Sequence, residues 1–423
     1  MYKRQGHING NGALVVSTTQ PKGKMVKVLF EPHAKLSNPL TYDITAWSIP
    51  HAYGLDAIAS TSLISMNGTK KTAPTNNTEN KNGAGYITKW NSINDAAFLA
   101  DLLQNNIRVR FSEKDFSNGN QSFKKGSLII TKSDNKTTKD YDSKLIAIAN
   151  KHNRKLFTST SGFASKGVDF GSPEVKLINK QRIAILKGNY TSSLSYGEIW
   201  HFFEQQLKYP VTSIDTNYFK KIDLSSYDVL ILPNGYYGSY FDKSTLEKLQ
   251  NWVKAGGKII ALAEAVSIFA GKKGFNLKKH EAEENDENTL STDNLIPYEQ
   301  REKASVKNFI TGSIFETKVD ASHPMAFGYD THYFSLKLGS SAYKFLDSGY
   351  NVAYIQDPKN VSGFAGTKAL KRLENSLVFG EDKLGKGSVI YMVDNPLFRS
   401  FWENGKLFFV NAIFFANNNA FRL

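Results

Sequence analysis

Residues 181–269 alternate short apolar segments with amphipathic ones, and this alternation restricts the fold more than any other feature of the chain. The apolar segments are rich in Ile, Leu and Val, as in strands buried on both faces of a sheet. The segments between them have the spacing of amphipathic helices. The strands are RIAILKG (182–188), YDVLILPNG (227–235) and KIIALAEAVSIF (258–269), and the helices lie at about 195–208 and at 242–257. This order predicts an α/β fold with a doubly wound, mostly parallel sheet.

A smaller α/β unit is predicted over residues 86–180, which we call the middle unit. Its apolar residues switch between the alternating spacing of strands and the wider spacing of helices. We expect strands at 86–90, 107–113 and 122–131, a strand or turn at 155–163, and helices at 93–106 and 139–153. Asn91 or Ser92 is the predicted cap of the first helix.

Two polar stretches mark boundaries. Residues 67–85 are rich in Asn, Thr, Lys and Gly, which is typical of a linker or surface loop. Residues 280–294 are acidic and indicate an insertion near 276–304 within the domain that spans 181–423.

The first 66 residues contain more large apolar side chains than they can bury alone. GALVVS (12–17) and MVKVLFEP (25–32) have strand-like composition. The segment 42–55 is dense in aromatic residues, including Trp47 and Tyr53, and needs a surface to pack on. We predict that residues 1–66 join this chain to another domain.

Composition excludes several classes of function. The chain has 53 Lys+Arg against 39 Asp+Glu, a net charge of +14, but the basic residues are scattered and form no basic stripe, so nucleic-acid binding is not expected. There is no cysteine, which excludes disulfides, thiolate metal ligands and cysteine nucleophiles. No apolar run reaches the ~20 residues of a membrane span, and no signal peptide is expected at MYKRQGHING.

Four long segments carry a resemblance to a known family. VKVLFEPHAKLSNPLTYDITAWSIPHAYGL, GEIWHFFEQQLKYP, ASHPMAFGY and VDNPLFRSFW resemble the C-terminal half of large zinc carboxypeptidases of Bacteroidetes-type bacteria. From about residue 181 the chain is similar to a class I glutamine amidotransferase-like, flavodoxin-like domain appended to such proteins.

The resemblance implies that the peptidase domain, with its zinc, lies N-terminal to everything in this chain. It also implies an exported protein whose parent removes C-terminal residues from peptides. The chain itself is then an accessory and non-catalytic portion, and its own peptidase domain is its partner. Whether the chain is an enzyme stays open at this point.

His201 and Glu204 have the His-x-x-Glu spacing of two zinc ligands. They fall inside a predicted helix whose apolar face is formed by Ile199, Phe203 and Leu207, and His201 belongs to the opposite, polar stripe. Zinc needs at least a third protein ligand, and no further histidine motif supplies one. We therefore interpret the pair as a solvated helix face, and no metal ligand is predicted in this chain.

The third strand of the 181–423 domain runs into a turn where amidotransferases place a nucleophilic cysteine. Here the turn reads Ala263-Glu264-Ala265, with neither cysteine nor serine, which rules out amidotransferase chemistry. Glu264 is either a structural hydrogen-bonding residue or a ligand-binding acid in a strained elbow.

Ligands of doubly wound sheets bind at the carboxyl ends of the strands. The loop 188–198 suits an anion at a helix start, with Ser193 and Ser195 as N-caps. A peptide or sugar in this crevice is the alternative to the accessory role. Its candidate residues are Tyr190, Ser192, Asn234, Glu264, Asp394 and Asn395.

His323, in SHPMAFGY, is predicted to anchor a loop rather than act as a base. Gly-x-Ser-x-Gly is absent from the sequence, so serine hydrolysis is not expected.

Overall fold

The architecture comes from a computed structural model, which describes residues 13–32, 48–64, 74–80, 82–280 and 295–418. The helices are α1 (Gly23–Phe30), α2 (Ile49–Ala52), α3 (Ile93–Gln104), α4 (Tyr141–Lys151), α5 (Ser193–His201), α6 (Thr216–Phe219), α7 (Lys243–Lys254), α8 (Tyr298–Ser305), α9 (Thr367–Leu373) and α10 (Glu403–Phe414). The strands are β1 (Gly85–Thr88), β2 (Arg110–Ser112), β3 (Phe116–Asn118), β4 (Gln121–Phe123), β5 (Leu128–Thr131), β6 (Phe157–Ser159), β7 (Val175–Leu177), β8 (Ile183–Lys187), β9 (Thr212–Asp215), β10 (Val229–Leu232), β11 (Lys258–Leu262), β12 (Ile310–Val319), β13 (His332–Lys337), β14 (Tyr350–Ile355), β15 (Asn360–Ala365), β16 (Ser376–Leu384) and β17 (Gly387–Met392).

Five parallel strands form one half of the larger sheet, beginning at the edge strand β9, in the order β9-β8-β10-β11-β17. Numbered along the chain this order is 2-1-3-4-5, which defines the flavodoxin-like doubly wound fold. Alternate residues of each strand enter different apolar clusters, so that Ile185 and Ile231 pack on one face while Leu186 and Leu232 pack on the other. The predicted α/β fold class is confirmed.

The sheet continues from β17 through antiparallel strands, in the order β16-β14-β12-β13, and β15 also pairs with β12. We call this part the antiparallel extension. The sequence did not predict it, nor the parallel strand β9. Polar residues interrupt these strands, as Thr317 and Glu316 do in β12, so they lack the continuous apolar runs that marked β8, β10 and β11.

The middle unit is a five-stranded antiparallel sheet, β6-β1-β5-β2-β7, with α3 and α4. Both predicted helices form, and Ser92 caps α3 by accepting from Asp95 N. The strand predicted at 122–131 is divided into β4 and β5, because Gly126 turns the chain with φ +87°. The unit packs on α10: Trp90 Nε1 donates to Asn411 Oδ1 at 3.0 Å, and the Phe111 ring stacks on Phe415 at 4.5 Å.

The two N-terminal strand predictions are wrong. Residues 13–17 have no regular secondary structure, and residues 23–30 form the helix α1. A strand needs a neighbour for its backbone hydrogen bonds, whereas a helix satisfies them internally; among the described residues no strand lies beside this segment. Trp47 lies outside the described residues.

The helix predicted at about 195–208 begins earlier and changes type. It starts at Ser193 as α5, and its cap is Ser192, which accepts from Ser195 N at 3.3 Å, rather than Ser193 or Ser195. From Phe202 to Leu207 it continues as a π-helix. The apolar face is as expected, since Ile199, Phe203 and Leu207 are all buried.

Candidate functional site

The order of the parallel strands reverses between β8 and β10, and the loops that follow these two strands are hydrogen-bonded to each other. Ser192 N donates to Asn234 O at 2.9 Å, and Tyr236 N donates to Tyr190 O at 2.9 Å. Thr191 and Gly235 form a bridge between the loops. The two loops therefore make one continuous rim at the position where doubly wound folds bind ligands.

The rim requires unusual backbone conformations. Tyr190 has φ +70°, its side chain is 47% exposed, and its ring lies 5.2 Å from that of Tyr240. A Cβ on Gly235 would lie 2.2 Å from Tyr190 O, so only glycine fits there. Strain of this kind is often found at ligand sites.

Asn234 connects three elements of the crevice. Its backbone N donates to Ser195 Oγ on α5 at 3.1 Å, and its side-chain Oδ1 accepts from Glu264 N at 3.2 Å. The bond to Glu264 occupies the side-chain oxygen, so Asn234 positions the turn after β11.

Glu264 follows β11 at the start of a short 3-10 helix, and it is half-buried. The strained residue of the elbow is Ala263, with φ +50°, and not Glu264. Glu264 Oε1 accepts from Ser341 Oγ at 2.9 Å. Burial, together with the nearby Glu264 carboxylate, raises the pKa of Tyr343. Among the residues that the structure describes, the carboxylate thus has one side-chain hydrogen-bond partner, and it lies just beyond the carboxyl end of β11.

Asp394, two residues after β17, is buried, and both of its carboxylate oxygens have partners. Its Oδ1 pairs with Lys337 Nζ at 2.8 Å, and its Oδ2 accepts from Ser335 Oγ at 2.7 Å. Both side chains of the ion pair are at most 5% exposed. A carboxylate with these partners holds the structure together, since neither oxygen is open to a ligand.

Asn395 binds Glu198 of α5 through Nδ2, and its Oδ1 accepts from Leu397 N at 3.0 Å. Glu198 also accepts from Arg399 N at 2.9 Å. Burial raises the pKa of the Glu198 carboxyl, and the hydrogen bonds from Asn395 and Arg399 oppose that shift. This contact attaches the loop after β17 to α5.

The structure therefore brings Tyr190, Ser192, Asn234 and Glu264 together, while Asp394 and Asn395 serve internal contacts beside them. The sequence missed Ser341 as the partner of Glu264, because Ser341 belongs to the unpredicted antiparallel extension and has no motif around it.

His201 and Glu204 do not face each other. His201 is exposed and its Nδ1 lies 3.2 Å from Ser400 Oγ, while Glu204 Oε2 accepts from Trp200 Nε1 at 3.1 Å. Arg399 and Ser400 both have positive φ, at 47° and 59°. Within the described ranges no group of three or more His, Asp or Glu is arranged to hold a metal ion.

His323 is buried and anchors a loop, as predicted. Its Nδ1 accepts from Met325 N at 3.2 Å, capping a short 3-10 helix, and its Nε2 lies 3.1 Å from Glu381 Oε2. Because Nδ1 accepts a hydrogen bond, the ring proton is on Nε2 and is donated to Glu381.

Comparisons with known proteins add little to this geometry. No family model matches the chain, and no curated protein does. Similar solved structures include a glutamine amidotransferase from Thermotoga maritima, with 7% identity and a TM-score of 0.32 over 51% of this chain and 75% of that one. A ThuA-like protein from Bacteroides uniformis has 13% identity and a TM-score of 0.32 over 55% of this chain and 89% of that one. A β-galactosidase from Bacillus circulans has 11% identity and a TM-score of 0.31 over 55% of this chain and 30% of that one. The strand order, and not these likenesses, assigns the fold.

The helices of the described segments are all too short or too polar to cross a membrane.

Proposed function

We propose that this chain is a non-catalytic accessory portion of a zinc metallocarboxypeptidase-like protein, and that it docks on the peptidase domain. One observation carries the proposal. Half of the large apolar side chains that are exposed in the described chain lie in its two short N-terminal segments, residues 13–32 and 48–64, which we call the N-terminal apolar segment. Met25 and Val28 of α1 are 53% and 61% exposed, and Gly23 is the single buried residue of that helix.

The segment is attached firmly enough to present this surface. In α2, Pro50 and Ala52 are buried, and the His51 ring lies 4.6 Å from the Phe334 ring on β13. Exposed apolar surface next to an anchored helix is typical of an interface between domains. The family resemblance supplies the partner: a zinc peptidase domain.

The crevice supports a non-catalytic role. Ala263, which carries no reactive group, occupies the strained elbow where amidotransferases have their nucleophile. The chain contains no cysteine. At the nearby Ser400–His201 pair, no carboxylate of the described residues binds the other ring nitrogen of His201, so a triad is not completed there.

Sedimentation velocity tests the docking. The full chain is mixed with a separately produced zinc carboxypeptidase domain of the family that it resembles, and a one-to-one complex is expected. Met25→Asp combined with Val28→Asp should abolish the complex, because charges replace apolar contacts on α1. Leu295→Asp, at an 81% exposed position elsewhere, is the matched control and should bind normally. No complex with the unaltered chain would refute the docking.

A second function is favoured by the convergence of Tyr190, Asn234 and Glu264 at the strand ends: a stand-alone module that holds a peptide or a sugar in the crevice. Tyr236, on the rim, is 83% exposed and offers an aromatic surface. Thermal-shift screening with peptides and glycans tests this function, and Glu264→Ala should abolish any stabilisation. A panel without a hit would count against it.

A further inference from the structure

A cleft lies in the seam between the middle unit and the π-helix that follows α5. It has a volume of about 560 Å³, and its walls are α3, the end of α4, the π-helix and the start of α10. This volume is within the ~300–1,000 Å³ of small-molecule sites, which occur preferentially between domains. Gln104 Nε2 of α3 donates to Lys208 O at 2.6 Å and links two of the walls. None of the candidate residues of the strand-end crevice lines this cleft.

Lys208 lines the cleft from a strained backbone position. It is the C-cap of the π-helix and has φ +51° and ψ 43°, a left-handed conformation that costs about 1–2 kcal/mol for a residue with a Cβ. Glycine or asparagine is the usual residue where a chain turns left-handed at the end of a helix. Strain of this kind is concentrated at ligand sites, and π-helical turns are also frequent there.

The ammonium group of Lys208 has no counter-ion in the described part of the chain. Among those residues no carboxylate lies within 4.0 Å of its Nζ and no acceptor lies within hydrogen-bonding distance of it. The residue is exposed. An unpaired lysine on a convex surface is solvated by water, but this one lies in a concave site beside other polar groups.

The carboxylate of Asp101, on the α3 wall, is already neutralised. Its Oδ2 lies 2.8 Å from Lys151 Nζ and 2.9 Å from His152 Nε2, and its Oδ1 accepts from Asn105 Nδ2 at 2.9 Å. Burial opposes ionisation of Asp101, but the hydrogen bonds and charges of Lys151 and His152 outweigh it and lower the pKa of the carboxyl. Asp101 therefore stays ionised and is paired within the protein.

The second carboxylate of the cleft is also paired. Glu403, at the start of α10, forms an ion pair with Lys406, whose side chain is buried. The Lys208 ammonium is therefore a surplus positive charge in the cleft, and a concave site with surplus charge attracts ions of the opposite sign. The exposed amides of Asn94 and Gln205, which also line the cleft, supply neutral donors and acceptors.

We propose that this seam cleft binds a small organic anion through a carboxylate or phosphate group held by Lys208. The Lys208 ammonium donates to the oxyanion, and the neighbouring amides bind polar groups in the rest of the molecule. A neutral ligand would leave the surplus charge unpaired, and a cation would find no unpaired carboxylate among the described residues that line the cleft. The proposal is independent of docking through the N-terminal apolar segment and of ligand binding at Glu264.

Isothermal titration calorimetry on the full chain tests the cleft with citrate, glucose 6-phosphate and glucose. At least one of the two anions should bind, glucose should not, and anion binding should weaken as the salt concentration is raised. The anion that binds more tightly identifies the carboxylate or the phosphate as the preferred group. Ala97→Trp fills the cleft from α3 and should weaken binding at least about 10-fold.

Two variants separate the charge of Lys208 from the overall charge of the chain. Lys208→Gln removes the ammonium and should weaken anion binding at least about 10-fold. Lys144→Gln, on the exposed face of α4 and outside the cleft, lowers the net charge equally and is the matched control. Its affinity should stay within about twofold of that of the unaltered chain.

Two further variants separate recognition from folding. Lys208→Gly relieves the left-handed strain, so the melting temperature should be unchanged or higher while anion binding falls as in Lys208→Gln. Lys208→Arg keeps the positive charge and should retain binding. If Lys208 were only structural, Lys208→Gly would bind the anion as the unaltered chain does.

The proposal is overturned if neither anion binds or if glucose binds as tightly as glucose 6-phosphate. It is also overturned if Lys208→Gln and Lys144→Gln weaken binding equally, because the net charge of +14 would then explain the attraction. Glu264→Ala should leave anion binding unchanged, and a loss in that variant would assign the anion to the crevice instead of the cleft.

Discussion

The strands β11 and β17 are parallel neighbours in the larger sheet, and each is followed two residues later by a carboxylate. The two carboxylates nevertheless have opposite surroundings. Glu264, after β11, is half-buried, and Ser341 is its one side-chain hydrogen-bond partner in the described part of the chain. Asp394, after β17, is buried with Lys337 and Ser335. Equivalent positions after two neighbouring strands thus carry one partly exposed carboxylate, which we call the open end of the crevice, and one buried, paired carboxylate, which we call the closed end.

The antiparallel extension causes the difference. Lys337 and Ser335 belong to β13, which is four strands away from β17 in sheet order. The sheet must therefore curl for this edge strand to reach the end of β17, in keeping with the twist of large sheets. The curl closes the crevice at β17 and leaves it open at β11.

The largest loss of stability is expected at the closed end of the crevice, where Asp394 lies. Lys337→Met leaves Asp394 buried without a counter-charge, and such a change costs about 3–5 kcal/mol of unfolding free energy. Urea unfolding measures it. Glu264→Gln, at the open end, is the comparison and should change stability by less than about 1 kcal/mol. Equal losses in the two variants would show that the two ends do not differ as described.

A second buried pair of the antiparallel extension, His323 and Glu381, makes the stability of this closed region depend on pH. Burial is the largest single influence and opposes ionisation of Glu381, but the hydrogen bond and charge of His323, together with Ser388 and Lys258, outweigh it and lower the pKa below the ordinary 4.5. A lowered folded-state pKa contributes stability above the unfolded value, and this stability is lost as pH falls below about 4.5. His323→Gln should cost about 1.5–3 kcal/mol at neutral pH.

Unfolding free energies measured from pH 7 down to pH 3 provide the check. Glu381→Gln should remove part of the acid dependence, whereas Asp347→Asn, at an exposed salt bridge, should change little in absolute stability. An unchanged pH profile in Glu381→Gln would contradict the assignment.

A smaller effect is expected for Ser341→Ala, which removes the only side-chain donor to Glu264 recorded in the described residues. The Ser341 carbonyl, which accepts from Lys337 at 3.3 Å, is retained. We expect a loss of about 0.5–1.5 kcal/mol. Chemical denaturation of Ser341→Ala and of Ser335→Ala compares the open with the closed end, and the second loss should be greater because Ser335 is fully buried.

The smallest effect is expected for Ala263→Gly. Ala263 has φ +50°, a conformation that costs about 1–2 kcal/mol for a residue with a Cβ. Glycine removes that strain but adds about 0.5–1 kcal/mol of chain entropy, so the variant should be more stable by about 1 kcal/mol or less. A lower melting temperature would show that the elbow is not strained.

The parallel strands were predictable because burial on both faces leaves continuous apolar runs, as in β8 and β10. The antiparallel extension was not, since its strands carry buried polar residues such as Ser335 and Lys337 whose partners are distant in sequence. The position of Asp394 after β17 predicted that it lines the crevice. Only the curl of the sheet brings Lys337 and Ser335 onto this carboxylate and shows that it is not available to a ligand. The segment at 25–32 has strand-like residues, but no strand of the described ranges lies beside it, and residues 23–30 form a helix. The zinc peptidase partner stays a prediction from resemblance.

The π-helix also has a consequence for insertions and deletions. A π-turn contains one residue more than an α-turn, so deleting one residue between Phe202 and Leu207 would restore a regular α-helix. The same deletion would rotate the side chains on one side of it by about 100° relative to the other. Ile199 and Leu207, which are both buried, would then face in different directions, and the apolar face of the helix would lose its register. The extra residue is therefore what keeps both halves of this helix packed on the core.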